Sequence, residues 1–238
     1  KKKAAPKKKA AAKKTKADVY LLGSMPPFLG LVGARLSHRA KTVYILQDIF
    51  PDSMLAMGKF TEWHPIVRLS RRMEQHTYKK NSAFVTLSED MKRTLVARGI
   101  PAEKITVIPN WADTNAVRPI GREDNPLFDE LGLSRGHFYA VYAGTLGVLQ
   151  EPDTLLDAAK LLKPKEDIRL VIFGGGALYE HVRARIKDEQ IDNALLFPLL
   201  PEERVAEVYS LGDAALVPLK AGTTRFAMPS KTWTALAA

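Results

Sequence analysis

The sequence predicts an α/β protein in two halves, each built on a parallel sheet, and two observations predict it. From Ala17 onward, short apolar runs rich in β-branched residues alternate with helical stretches. A stretch rich in Pro, Asn, Asp and Gly, 109–137, interrupts this alternation at mid-chain. Continuous apolar runs are typical of strands buried on both faces, and their alternation with helices is typical of βαβ units. We therefore expect two parallel sheets joined by one connection.

The strands are expected in two sets of four. They are 18–24, 41–47, 83–88 and 104–109 in the first half, and 139–144, 168–174, 194–198 and 214–218 in the second. Helical stretches between them include 89–99, 153–163, 177–190 and 202–211. A doubly wound half commonly has about six strands. Both halves are therefore expected to be incomplete, the first at its front and the second at its back.

The domain boundaries follow from these elements and from the charge distribution. We expect a first half over 17–115, a connection over 116–136 and a second half over 137–238. Residues 1–16 hold nine lysines and no acid, and so carry almost all of the formal net charge of +10. Such a Lys/Ala/Pro block is predicted to be disordered. It is either a solvated extension or an electrostatic contact for nucleic acid or an anionic membrane, and elsewhere in the chain nucleic-acid binding is not expected.

Several classes of site are disfavoured by what the sequence lacks. There is no cysteine, so a disulfide framework or thiolate metal site is excluded, and the five histidines show no metal-ligand spacing. No apolar run approaches the roughly 18 residues that a spanning helix needs. We expect no metal, no separate cofactor and a cytoplasmic location.

Glycines follow two strands of the second half, where open α/β sheets usually bind ligands. Gly144 and Gly147 lie in "VYAGTLG", and three glycines lie in "VIFGGG", 171–176. The dinucleotide fingerprint G-x-G-x-x-G is missing because Tyr179 stands at the last glycine position. A hydride-transfer enzyme is therefore disfavoured.

The stretch "RFAMPSK", 225–231, predicts a helix start with two nearby cations, Arg225 and Lys231. Free backbone N–H groups, the helix dipole and cations together suit a diphosphate. The alternative is an ordinary helix capped by the Ser230 side chain.

These motifs together resemble glycosyltransferase family 4, of the bacterial polysaccharide-assembly kind. The matching stretches, in order over 40–238, include "LQDIFPDSM", "VTLSEDM", "IPNWAD", "YAGTLG", "VIFGGG" and "MPSK". The resemblance implies the GT-B fold, two Rossmann-like halves with a cleft between them, here lacking elements at both ends. It also implies transfer of a sugar, with retention, from a UDP-sugar to a glycan or lipid-linked acceptor.

The resemblance assigns roles to individual residues. The glycines would approach the diphosphate or sugar, the backbone of 198–200 would frame the base, and Ser230 and Lys231 would face the phosphates. Thr234 stands where many relatives carry a ribose-binding Glu. The implied donor-binding set is Gly144, Gly147, Gly174, Gly175, Pro198, Leu199, Leu200, Arg225, Met228, Pro229, Ser230, Lys231 and Thr234. Asp48 would bind or deprotonate the acceptor hydroxyl, unless it merely caps the turn before Pro51.

Two other functions stay open, a non-enzymatic binding protein that uses the basic tail and a GT-B sugar-nucleotide epimerase. The segment 58–80 mixes aromatic and aliphatic residues with six Lys or Arg, and Pro65 predicts a helix start within it. It is either a peripheral contact for the inner face of a membrane or an amphipathic core helix with a solvated basic face.

Overall fold

The structure, a computed structural model, describes residues 17–238, so the predicted disorder of 1–16 lies outside the described residues. Strands and helices alternate along these residues. In chain order they are β1 (Val19–Gly23), α1 (Leu29–Leu36), β2 (Lys41–Leu46), α2 (Asp52–Ala56), α3 (Pro65–Lys80), β3 (Ala83–Thr86), α4 (Glu89–Ala97), β4 (Ile105–Val107), α5 (Leu127–Glu130), β5 (Phe138–Thr145), α6 (Pro152–Leu162), β6 (Ile168–Gly175), α7 (Tyr179–Asp188), β7 (Ala194–Pro198), α8 (Val205–Ser210), β8 (Ala214–Ala215) and α9 (Lys231–Ala237).

The strands form two parallel four-stranded sheets, with the orders β1-β2-β3-β4 and β7-β6-β5-β8. This confirms the predicted fold class and the division of the strands into two sets of four. The last strand is shorter than predicted, two residues instead of 214–218. Pro218 lies in the missing part, and proline has no N–H to donate to a neighbouring strand.

The second sheet is buried on both faces, as its unbroken apolar runs predict. Along β5, Tyr139 and Val141 belong to one core cluster. Tyr142, the next residue, belongs with Leu146 to the cluster on the opposite face of the sheet. Phe173 and Ile172 of β6 divide in the same way. Successive side chains of a strand point to opposite faces, so both faces of this sheet are covered by helices.

Glycines set the position of α3 in the first half. A methyl group on Gly30 of α1 would lie 2.4 Å from the Thr77 side chain, and one on Gly33 would lie 2.4 Å from Asn81 Oδ1. The Asn81 amide also donates to the carbonyls of Gly30 (3.1 Å) and Thr77 (2.9 Å). The absence of side chains at these two glycines therefore lets α1 and α3 pack closely, which holds one face of α3 against the protein.

Part of the segment predicted as the connection, 116–136, packs with the second half. Leu127 and Phe128 of α5 are fully buried in the core of the second half. Asn125 donates to the Glu207 carbonyl (2.8 Å) and accepts from the Leu127 N–H (3.1 Å). The chain thus joins the second half before α5 begins, because this turn of helix covers a face of the sheet that β5 and β6 would otherwise expose.

The two halves meet through a segment that precedes α9. Phe226 is buried in the core of the first half, and Ala227 and Met228 pack against the same core. The Ile49 N–H donates to the Phe226 carbonyl (2.8 Å), and Asp48 pairs with Ala227 in an isolated antiparallel bridge. Residues 226–228 therefore bring the end of β2 and the start of α9 together.

Candidate functional site

Three strands of the second sheet end side by side at the residues that the motifs singled out. Gly144 of β5 pairs with Gly174 of β6, and Gly174 pairs with Pro198 of β7. Gly144 has φ +139°, a conformation that favours glycine. Of these two glycines, Gly144 is half-buried at the sheet edge, whereas Gly174 is buried beneath the Leu146 side chain.

The ammonium group of Lys231 lies against this edge. Its Nζ is 4.0 Å from the centroid of the Tyr142 ring, and a methyl group on Gly144 would lie 2.7 Å from it. Nζ is buried and has no hydrogen-bond partner within residues 17–238. Burial lowers the pKa of Lys231 to about 8 from the usual 10.5. A buried cation without a partner suits an anionic ligand at the strand ends, because folding has already removed water from the ammonium group.

Tyr142 is a part of this site that sequence reasoning missed. Its hydroxyl donates to the Thr145 carbonyl at 2.5 Å, which holds the ring beneath the Lys231 ammonium. A tyrosine face attracts a cation and so offsets part of the cost of burying it. Inside the apolar run 139–144, Tyr142 has the pattern of a core residue, and only the position of α9 gives it a second role.

The start of α9 differs from one of the two sequence interpretations. Ser230 has helical φ and ψ, its side chain is exposed, and it makes no capping hydrogen bond, so the alternative of a Ser-capped helix is wrong. Pro229 is half-buried and Met228 packs against the first half. The Ser230 hydroxyl is therefore not engaged in capping, while Met228 serves the interface between the halves.

The resemblance also assigns Gly147, Leu199 and Leu200 to the donor site, and these three residues follow the ends of β5 and β7. Gly147 has an extended backbone, and its carbonyl closes the 3₁₀ turn Val148–Gln150 by accepting from Gln150 N–H (3.1 Å). Leu199 covers Gly175, since a methyl group there would lie 3.1 Å from the Leu199 side chain. Leu200 packs against the second core. Gly174 is buried, since a methyl group there would lie 2.5 Å from the Leu146 side chain, so the backbone is more accessible at Gly144 and Gly175 than at Gly174.

Thr234 lies one turn after Lys231 and lines a cavity of about 620 Å³. The opposite walls come from Trp111 and Asp113 of the connection, and from Glu202 and Val205 at the start of α8. Trp111 lies within "IPNWAD", but its sequence context did not indicate that it would face α9. This cavity adjoins the segment after β7, which the resemblance assigns to the nucleotide base.

Arg225 does not join Lys231 at the strand ends, contrary to the expectation that the two cations act together. It is exposed and lines an opening of about 770 Å³ against the first half, with Asp52 of α2 and Arg98 after α4. The 3₁₀ turn Thr223–Arg225 packs on α4, and Phe226 directs the chain into the first core. This packing places Arg225 at the interface between the halves.

Asp48 ends the run of β2 and is half-buried. It lines a small cavity of about 20 Å³ with Ser24, Tyr44 and Glu74, among others, and burial raises the pKa of its carboxyl. The helix that begins at Asp52 has no side-chain cap. Asp48 pairs with Ala227, and Lys231 follows Ala227 by four residues. The structure thus brings the carboxyl ends of the two sheets together at Asp48 and the start of α9.

Two parallel-sheet halves that face each other across their carboxyl ends define the GT-B glycosyltransferase fold, and the comparisons with known proteins agree. Residues 3–116 match the model of Glycosyltransferase Family 4, and residues 124–229 match that of Glycosyl transferases group 1. The chain therefore belongs to glycosyltransferase family 4.

Curated relatives agree with this membership, and a solved structure agrees with the fold. The chain is 27% identical over 232 residues to the probable glycosyltransferase WbjE of Pseudomonas aeruginosa, covering 97% of this chain and 58% of that protein. It is 25% identical to the putative colanic acid biosynthesis glycosyl transferase WcaI of Escherichia coli K12, covering 89% and 53%. The structure of Anabaena HepE in complex with UDP and glucose superposes with a TM-score of 0.66 at 17% identity, over 83% of this chain and 52% of that one. The chain thus spans about half the length of these proteins.

Proposed function

We propose that this chain carries the donor site of a retaining glycosyltransferase, which moves a sugar from a UDP-sugar to a glycan or lipid-linked acceptor in cell-surface polysaccharide synthesis. The observation that carries the proposal is the buried, unpaired Lys231 ammonium against Gly144. The UDP found in the HepE complex and the colanic acid role in the name of WcaI support the donor and the pathway class.

In the proposed reaction, the bond between the anomeric carbon and the diphosphate breaks while the acceptor oxygen bonds to the same face of that carbon, which retains its configuration. Negative charge develops on the leaving diphosphate. The Lys231 ammonium, which lies over the Tyr142 ring at the strand ends, stabilises this charge without a proton transfer. Asp48 accepts a hydrogen bond from the acceptor hydroxyl and takes its proton. Burial raises the pKa of Asp48, which strengthens it as a base. The donor set we propose is otherwise as implied by the resemblance, with Arg225 and Met228 acting at the interface.

Ligand-observed NMR on the full chain, with UDP, GDP, ADP and NAD compared, tests the donor assignment. Because the lysines of 1–16 attract any diphosphate, selectivity is the readout, not binding itself. We expect contacts through uracil and ribose, and their displacement by a UDP-sugar. Equal contacts with ADP and NAD by a folded sample would overturn the proposal. Conversion of a UDP-sugar without any acceptor would instead identify an epimerase.

Gly144→Ala is expected to weaken UDP binding by about tenfold, since the new methyl group would lie 2.7 Å from Lys231 Nζ and displace the ammonium. Some stability is also lost, about 1 kcal/mol, because φ +139° is unfavourable for alanine. Gly99→Ala is the matched control: its φ is +91° and it has no neighbour within 4 Å. Isothermal titration of both variants should show the affinity loss in Gly144→Ala alone; unchanged affinity there would remove this edge from the site.

A further inference from the structure

The apolar residues at the amino end of α3 face the solvent. Trp63 is 85% exposed, Ile66 53% and Leu69 57%. Side chains of this size are costly to leave in water. Ile66 and Leu69 are three residues apart on α3, and Trp63 lies two residues before its first residue. The fold of the first half does not require them, because α3 is held by its opposite face.

The opposite face of α3 is buried against the rest of the protein. Its buried residues are Val67, Ser70, Glu74, Thr77 and Tyr78. They recur at helical spacing, α3 packs on α1, and the Tyr78 ring contacts Phe84 of β3. The helix within 58–80, Pro65–Lys80, thus has one core face, and the role of its outward face stays a prediction.

The outward face also carries unpaired positive charge. Its exposed cations are Arg68, Arg72, Lys79 and Lys80. Within residues 17–238, none of these four forms an ion pair, whereas Arg71 on the flank is paired with Asp52 and Glu62. The one acid of α3, Glu74, is buried. A face of 16 helical residues, about 24 Å long, thus presents cations without counter-charge.

We propose that Trp63 and the outward face of α3 together dock on an anionic lipid bilayer; this face consists of Ile66, Arg68, Leu69, Arg72, Lys79 and Lys80. The apolar side chains enter the headgroup region, where the amphipathic indole ring of tryptophan is favoured. The four cations contact lipid phosphates beside them. Exposed aliphatic side chains next to the cations favour a bilayer over nucleic acid, which offers no apolar layer for Ile66 and Leu69 to enter.

This docking is peripheral in kind. Among residues 17–238, no helix has both the length and the apolarity to cross a membrane. The proposal concerns a surface other than the donor site. It does not depend on that site, because docking of α3 on lipid requires no bound nucleotide. It would place the first half of the chain at the surface that carries a lipid-linked acceptor.

Cosedimentation of the full chain with vesicles tests the apolar contribution. Vesicles of phosphatidylcholine alone are compared with vesicles that also contain phosphatidylglycerol. The double variant Trp63→Ala/Leu69→Gln should lose about tenfold in partitioning to the anionic vesicles. Its matched control, Trp111→Ala/Leu161→Gln, removes side chains that are 83% and 82% exposed elsewhere and should bind as the parent does.

The charge contribution is tested separately. Arg72→Gln/Lys79→Gln should reduce partitioning by about fivefold for each cation removed. Lys165→Gln/Lys187→Gln, which removes two exposed lysines from the second half, is the control for net charge. Brominated acyl chains should also quench tryptophan emission in the parent protein, and Trp63→Phe should abolish that quenching. This last measurement needs no destabilising substitution.

Two results would overturn the proposal. Vesicle binding that is unchanged in every α3 variant would assign it to the lysines of 1–16. Binding to an RNA homopolymer that falls with the α3 cations, without quenching by brominated lipid, would assign the face to nucleic acid. Neither result bears on UDP binding, so failure here leaves the proposed donor site standing.

Discussion

Replacing Lys231 by Met is expected to weaken UDP binding about 10- to 100-fold, because one charge-assisted contact to the diphosphate is lost. The same change should stabilise the ligand-free protein by about 1–2 kcal/mol near neutral pH. The ammonium is buried without a partner, and the Tyr142 ring offsets only part of its desolvation cost. Met keeps the volume of the side chain and removes the charge.

The lowered pKa of Lys231 determines how the stability advantage of Lys231→Met changes with pH. Burial lowers the folded-state pKa of Lys231 to about 8 from 10.5, so the charged form costs the folded state in full below pH 8. As the pH rises from about 8 to 10.5, the folded protein releases this proton first and the cost disappears. The stability advantage of Lys231→Met should therefore shrink over that window, as followed by urea unfolding at several pH values.

Lys187→Met, an exposed lysine on α7, is the control for the loss of one charge. It should change neither UDP affinity nor stability by a measurable amount. A Lys231→Met variant that unfolds more easily than the parent would show that the ammonium supports the fold. Lys231 would then not be a cation held in reserve for a ligand.

Glu74→Gln is expected to lower the free energy of unfolding by about 3 kcal/mol. Glu74 Oε1 accepts from the Tyr78 hydroxyl at 2.7 Å and from Arg98, and Oε2 accepts from Arg71 at 3.3 Å. Its side chain is 5% exposed. Removing the carboxylate leaves two half-buried guanidinium groups that only Asp52 and the exposed Glu62 can balance. In a chain of this size the melting temperature should fall by about 6–12 °C.

Glu62→Gln is the matched control because Glu62 also pairs with Arg71, at 2.9 Å, but is 60% exposed. Exposed pairs contribute little, so its unfolding free energy should stay within about 0.5 kcal/mol of the parent value. Chemical denaturation of the two variants compares them directly. Equal effects would mean that burial does not set the strength of this network.

The order of strands and helices could be predicted from the sequence because burial of a strand or a helix face leaves a local pattern. All eight predicted runs contain strands, and α3 begins at Pro65 as its proline indicates. The glycines at the ends of β5 and β6 could be placed beside each other for a related reason. Carboxyl ends of parallel strands meet at one edge, so residues at matching ends become neighbours.

The contacts that make the site depend on long-range packing, which local patterns do not contain. Phe226 lies in the second set of elements along the chain but is buried in the first core, and this insertion carries Arg225 to the interface. The Lys231 ammonium meets Tyr142 only because α9 returns across the end of β5. Glu74 acquires Arg98, 24 residues away, in the same manner.

The sequence by itself determined two parallel sheets and the strand ends at which a ligand could bind. Only the tertiary structure decided which charged groups reach those ends and which are left without partners. The physical reason is that periodicity records whether a side chain is buried, whereas the partner of a buried charge is set by how separate elements pack. For Lys231, that packing leaves a desolvated cation against Gly144 at the end of β5.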